Sequence, residues 1–141
     1  MTPTLFGRWQ TRLFLLTTVG VVITLPFAWG IWGNSAGSVF FRFLGYVALF
    51  GLVWDVAYNF LQQFRWDRDW PAAFQLAAGI WEALFLAIAA KLVGLPGIPQ
   101  DFPLGDFALH YSLVWLGVFT ASQTVMRVLF PRWRFRGGQL F

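Results

Sequence analysis

Four apolar stretches run through this chain at about 13–32, 43–61, 70–95 and 107–130, separated by short polar or Gly/Pro-rich connections. A helix needs roughly 20 predominantly apolar residues to cross a bilayer. In hydrocarbon such a segment must satisfy its own backbone hydrogen bonds, so it has to be helical or part of a closed barrel. Of the 141 residues, 58% are hydrophobic and 11% charged, against about a quarter charged in a soluble domain. Little chain is left for a soluble unit. The expected fold is all-α: a polytopic, four-helix transmembrane bundle forming one domain over 1–141, with a short basic tail at 131–141.

The first stretch follows Arg8 and Arg12 and precedes the small residues Gly33, Ser35, Ala36 and Gly37, as a signal peptide would. It is longer than the apolar region of about 7–15 residues found in such peptides, so a retained helix is expected. The chain contains no cysteine, which excludes disulfides, thiolate catalysis and Cys-ligated metal sites.

Basic residues set the expected orientation. The N-terminus (Arg8, Arg12), the second connection (Arg65, Arg68) and the C-terminal end (Arg127, Arg132, Arg134, Arg136) share one side. Arg42 and Lys91 lie on the other. Cytoplasmic loops carry the excess of Lys and Arg, so both termini are expected in the cytoplasm, across a prokaryotic plasma (inner) membrane. Trp9, Trp66, Trp70 and Trp133 fall at the same interface, and Trp29 and Trp32 near the outer one. Trp54 and Trp81 break the pattern, each lying mid-stretch directly before an acid.

Those acids, Asp55 and Glu82, are the sharpest signal in the sequence. An ionised carboxylate in hydrocarbon costs several kcal/mol unless paired, hydrated or protonated, and an intramembrane acid is a functional candidate by default. At 100° per residue Gly51, Asp55, Tyr58, Asn59 and Gln62 share one face of the second helix. On the third, Gly79, Ala83 and Ala87 form a small-residue run beside Gln75 and Glu82, suited to close helix approach. Ser112, Thr120, Gln123 and Arg127 share a face of the fourth. A polar seam between helices two, three and four follows, with the first helix peripheral. Arg127 lies about six residues nearer the cytoplasm than Asp55, roughly 9 Å at 1.5 Å per residue. Snorkelling would let it reach Asp55 through Tyr58, Asn59 or Gln123. Glu82 has no cation at its own depth and is expected to be protonated or hydrated.

Other motifs carry less. His110, near the outer end of helix four, reads as an interfacial histidine rather than a haem ligand, since no second histidine pairs with it. The hairpin Arg65-Trp66-Asp67-Arg68-Asp69-Trp70-Pro71 combines turn chemistry, with Asp69 placed to cap helix three, and the Trp/Arg density of a docking surface. In the tail Arg132, Trp133, Arg134 and Arg136 suit anionic headgroups or a partner. No phosphate loop, catalytic triad order or metal-ligand spacing is present, and nucleic-acid binding is not indicated.

The expected function is that of a non-enzymatic accessory or partner subunit of a membrane complex. It needs no cofactor or metal and contacts the lipid bilayer together with a protein partner or a second copy of itself. The alternative is a proton- or cation-coupled small transporter or channel, acting as an oligomer through Glu82 and Asp55. A lipid-modifying enzyme using the acids as bases ranks last. No family resemblance emerges; unlike the small multidrug exporters, whose key glutamate sits in the first helix, this first helix has no acid.

Overall fold

The first two turns of the N-terminal segment, Leu5 to Arg12, mix polar and apolar residues, yet they are helical. Thr4 caps them: its Oγ1 accepts the Gly7 N–H at 3.0 Å, satisfying one of the amides left open at a helix start. The computed structural model describes residues 3–32 and 37–140, so Gly33, Ser35 and Ala36 lie outside the described residues. Four helices in it are long and apolar enough to cross a membrane: α1 (Leu5–Ala28), α2 (Val39–Gln62), α3 (Ala72–Val93) and α4 (Leu104–Leu129). Among the described residues there is no strand.

The count agrees with the four apolar stretches, but α1 begins eight residues before its expected start and ends before Trp29. Its middle widens into a π-turn at Leu16–Gly20, where the hydroxyls of Thr17 and Thr18 donate to the Leu13 and Phe14 carbonyls at 2.7 and 2.8 Å. Helix α3 starts after Pro71 without a side-chain cap, so Asp69 does not play the capping role expected of it. It closes in a second π-turn, Ala89–Val93, and stops at Gly94, whose φ of 83° favours a residue without a Cβ. Helix α4 breaks at Thr124 (φ −124°, ψ −76°) before a last short run to Leu129.

Helix α1 packs against α2 and α4, and α3 packs against the same two, so α1 and α3 face each other across the diagonal of a square. The expectation of a peripheral first helix is therefore overturned. Its polar N-terminal turns are drawn into the bundle because the tail folds back over them. Trp133 is 5% exposed and its Nε1 donates to Thr11 Oγ1 at 2.8 Å. The Thr4 N–H donates to the Gly137 carbonyl at 2.9 Å, and Leu140 N–H to Gln10 Oε1 at 2.8 Å.

The two halves of the bundle are filled differently. Toward the 94–103 connection the interior is dry: Phe27, Phe40, Phe43, Leu86, Phe102 and Phe107 are buried against one another. His110 sits inside this cluster, its Nε2 2.9 Å from Thr24 Oγ1 and its ring 5.1 Å from both Phe27 and Phe40. The connection is tied down by Arg42, which donates to the Gly97 carbonyl at 2.7 Å, and by Tyr46, which donates to that of Pro96 at 2.6 Å. Lys91 donates to the carbonyls of Gln100 and Phe102. The opposite half buries Asp55, Gln62, Glu82 and Ser122.

Candidate functional site

Arg8 and Arg12 are one helical turn apart on α1, and Asp55, Tyr58 and Gln62 follow one another along a face of α2. Because α1 and α2 run antiparallel, Arg12 and Asp55 come level: each is seven residues from the helix end it shares, roughly 10 Å at 1.5 Å per residue. Glu82 approaches from α3 on the diagonal. Arg12 joins all three helices. Its Nε and Nη2 donate to the two Asp55 carboxylate oxygens at 2.9 Å each. Its Nη1 and Nη2 donate to the two Glu82 oxygens at 2.9 and 3.0 Å. Tyr58 adds a donor to Glu82 Oε1 at 3.1 Å.

Both acids are buried, Asp55 at 3% and Glu82 at 6% exposure. Two carboxylates at this depth would be strongly unfavourable alone; the forked guanidinium matches both planar groups and offsets their desolvation. The expectation that Glu82 lacks a cation is thus corrected: the cation comes from α1. Small residues make the approach possible. A Cβ on Gly51 would fall 2.1 Å from Arg12 Nη1, and one on Gly79 would fall 1.8 Å from Trp115 Nε1. Trp54 and Trp81, each next to its acid in sequence, meet edge-to-face at 5.4 Å, and Trp54 also stacks on Tyr58 at 6.3 Å.

A chamber of about 720 Å³ surrounds this cluster, its lining running from Val47 and Val114 to Pro3 and Phe135 at the bundle end that carries both termini. Arg12, Asp55 and Glu82 form part of its wall; Arg8, Trp70, Gln75, Ser122 and Arg127 line it further out. Arg8 stacks on Trp70, 4.6 Å from the ring centroid, and donates through Nη2 to Gln62 Oε1 at 2.7 Å. Gln62 is fixed in turn, its Nε2 donating to the Arg68 carbonyl at 2.7 Å and to that of Pro3 at 3.2 Å.

The remaining sequence candidates scatter. Arg127 does not reach Asp55; its Nη2 donates to Gln123 Oε1 at 2.8 Å. Asn59 lies along a separate groove with Thr4 and Gln63. In the hairpin Arg65 pairs with Asp67 at 3.2 Å and lies over Phe74, while Trp66 is 95% exposed. The Asp69 N–H donates to Asp67 Oδ1 at 3.1 Å, and this bond, with Arg65 alongside, holds the Asp67 carboxyl below the usual carboxylate range. Trp70 belongs to the chamber. In the tail Arg132 and Arg136 are exposed, the Arg134 side chain lies outside the described ones, and Trp133 is buried rather than offered to a partner.

Sequence reasoning missed Arg12, Arg8, Thr11 and the room left by Gly51. The signal was present: a threonine cap at Thr4 followed by arginines at i and i+4 extends α1 far enough to bring Arg12 inside. Among the described residues, no three His, Asp or Glu side chains converge as a metal site would need. Compared with protein-family models, curated proteins and solved structures, the chain matches none.

Proposed function

We propose that this chain is a small, non-enzymatic integral membrane protein of a prokaryotic plasma membrane that serves a larger complex as a binding subunit. Its termini lie in the cytoplasm, and its bundle offers a ligand-sized chamber to that side. The observation that carries the reading is the chamber of about 720 Å³ whose wall includes Arg12, Asp55 and Glu82. Its size falls within the range of about 300–1,000 Å³ typical of ligand sites. An ionic cluster inside an apolar bundle is costly to maintain, and chains keep one where a polar guest or pathway requires it. The orientation is supported by Arg65, Arg68, Arg132 and Arg136 at the chamber end. On the other side, Arg42 and Lys91 are engaged by loop carbonyls. A non-enzymatic role fits because Asp55, Glu82 and Tyr58 are each tied into the ion cluster rather than poised beside a nucleophile.

One observation favours the transporter reading as second: two carboxylates share a single guanidinium, so the trio carries one surplus negative charge that a proton or cation would neutralise. A through-pathway would have to open the aromatic packing around Phe27, Phe40 and Phe107, which fills the other half of the bundle. Proton flux in proteoliposomes that is lost in Glu82→Gln would promote it to first place.

The absence of cysteine makes the main reading directly testable. Gln75→Cys lies on the chamber wall, and Leu86→Cys sits in the dry core. A membrane-impermeant thiol reagent is expected to modify Gln75→Cys in inside-out vesicles and not in right-side-out ones, and to leave Leu86→Cys untouched in both. Labelling of Gln75→Cys from the outer side, or from neither side, overturns the proposal.

A further inference from the structure

Arg12 spends four of its donors on carboxylates. Arg8, one turn nearer the chamber mouth, is finished differently. Its side-chain partner is the neutral amide oxygen of Gln62, and its Nε is buried with no hydrogen-bond partner. Stacking on Trp70 fixes the plane of the guanidinium, so that edge donor is pre-oriented rather than free to swing into water. Arg127, on the same chamber wall, also meets a neutral amide oxygen, that of Gln123. A buried charged donor without an acceptor is expensive, and an acceptor supplied by a guest would remove that cost.

The charges around the chamber are layered. Deep in it, one guanidinium faces two carboxylates, Asp55 and Glu82. Toward the mouth, Arg8 and Arg127 share the wall with the carboxylate of Asp69. Among the described residues, positive charge thus outweighs negative near the mouth and the reverse holds at the ion cluster, which favours an anion at the mouth. Guanidinium edges match planar or tetrahedral oxyanions through paired N–H donors.

We propose that the chamber mouth is an oxyanion site, in which Arg8 and Arg127 bind a phosphate-type group carried by an anionic lipid headgroup or by a soluble phosphate. The inference rests on the reading of the chamber as an open binding site. It goes further by assigning the chemical class of the ligand and the residues that recognise it.

Two probes separate the sources. Protein in nanodiscs of phosphatidylcholine alone is titrated calorimetrically with inorganic phosphate. Protein from nanodiscs of mixed phosphatidylcholine and phosphatidylglycerol is analysed by native mass spectrometry for retained phosphatidylglycerol. A calorimetric signal assigns the site to a soluble phosphate, and selective retention of phosphatidylglycerol assigns it to a headgroup. In either case Arg8→Gln and Arg127→Gln are each expected to weaken binding about tenfold or more, as loss of a charge-assisted pair does. Arg42→Gln, exposed at the opposite bundle end and outside the chamber, should bind as wild type does. Should Arg8→Gln not purify, Arg127→Gln, whose side chain is exposed, carries the test. The proposal is overturned if neither probe binds, or if Arg42→Gln loses as much as the chamber variants, as diffuse attraction to the protein's net positive charge would require. Labelling of Gln75→Cys with no response to either probe removes this inference alone; absence of labelling removes the chamber reading beneath it.

Discussion

Gly51 leaves open the space that Arg12 occupies: a Cβ on this glycine would stand 2.1 Å from Nη1 of the guanidinium. The far end of an arginine usually swings aside, but this one is held by four hydrogen bonds to Asp55 and Glu82. Gly51→Ala is therefore expected to cost about 1–3 kcal/mol, as overpacking does. The loss should vanish in an Arg12→Met background, where nothing charged is pinned against α2. Thermal unfolding in detergent of the two single variants and the double variant tests this; additive losses would show that Gly51 serves something other than Arg12.

Removing the cation should hurt far more than removing one acid. Arg12→Met leaves two buried carboxylates uncompensated and is expected to lose about 3–5 kcal/mol. Glu82→Gln keeps a neutral Arg12–Asp55 pair and an amide oxygen for Tyr58, and should lose about 1–2 kcal/mol. Adding Asp55→Asn and Glu82→Gln to Arg12→Met should recover part of the stability, because no charge then remains at the cluster. Equal damage from Glu82→Gln and Arg12→Met would mean that charge compensation is not what holds α1, α2 and α3 together.

The four helices were legible because long apolar runs leave a chain few other solutions. The face of α2 carrying Asp55, Tyr58 and Gln62 was legible from helical periodicity alone, as was the inward turn of Glu82. Arg12 was not, because apolarity marks where a span is greasy rather than where its helix starts. That start depends on the Thr4 cap and on tail contacts from Trp133 and Gly137, which join residues more than 100 positions apart. The reach of Arg127 to Asp55 was misread because Gln123, one turn back on α4, takes its guanidinium instead at 2.8 Å.

Two tryptophans that read alike in the sequence should behave oppositely. Trp133 is buried against Leu15, Ala121 and Met126 and donates to Thr11. Trp133→Ala is expected to cost about 3–5 kcal/mol and to loosen the tail, giving faster proteolysis after Pro131. Trp66, at 95% exposure, should change stability by no more than about 0.5 kcal/mol when replaced by alanine. Limited proteolysis and unfolding measurements on both variants decide it, and comparable losses would place Trp66 in a contact it does not make in the isolated chain.

Arg68 holds a left-handed backbone, φ 52°, at the hairpin between α2 and α3, a region that L side chains enter at a cost. The conformation matters to the chamber because it aims the Arg68 carbonyl at Gln62 Nε2, and so turns Gln62 Oε1 toward Arg8. Arg68→Gly removes the Cβ penalty but adds unfolded-chain entropy, so it should lie between neutral and about 1 kcal/mol stabilising. Arg68→Val loses the same charge and puts a β-branched residue in the same region, costing about 1–3 kcal/mol. Since both variants remove the guanidinium, their difference isolates the backbone. Unfolding temperatures should rank glycine at or above wild type and valine below both; equal values for the glycine and valine variants would mean that the turn does not fix Gln62.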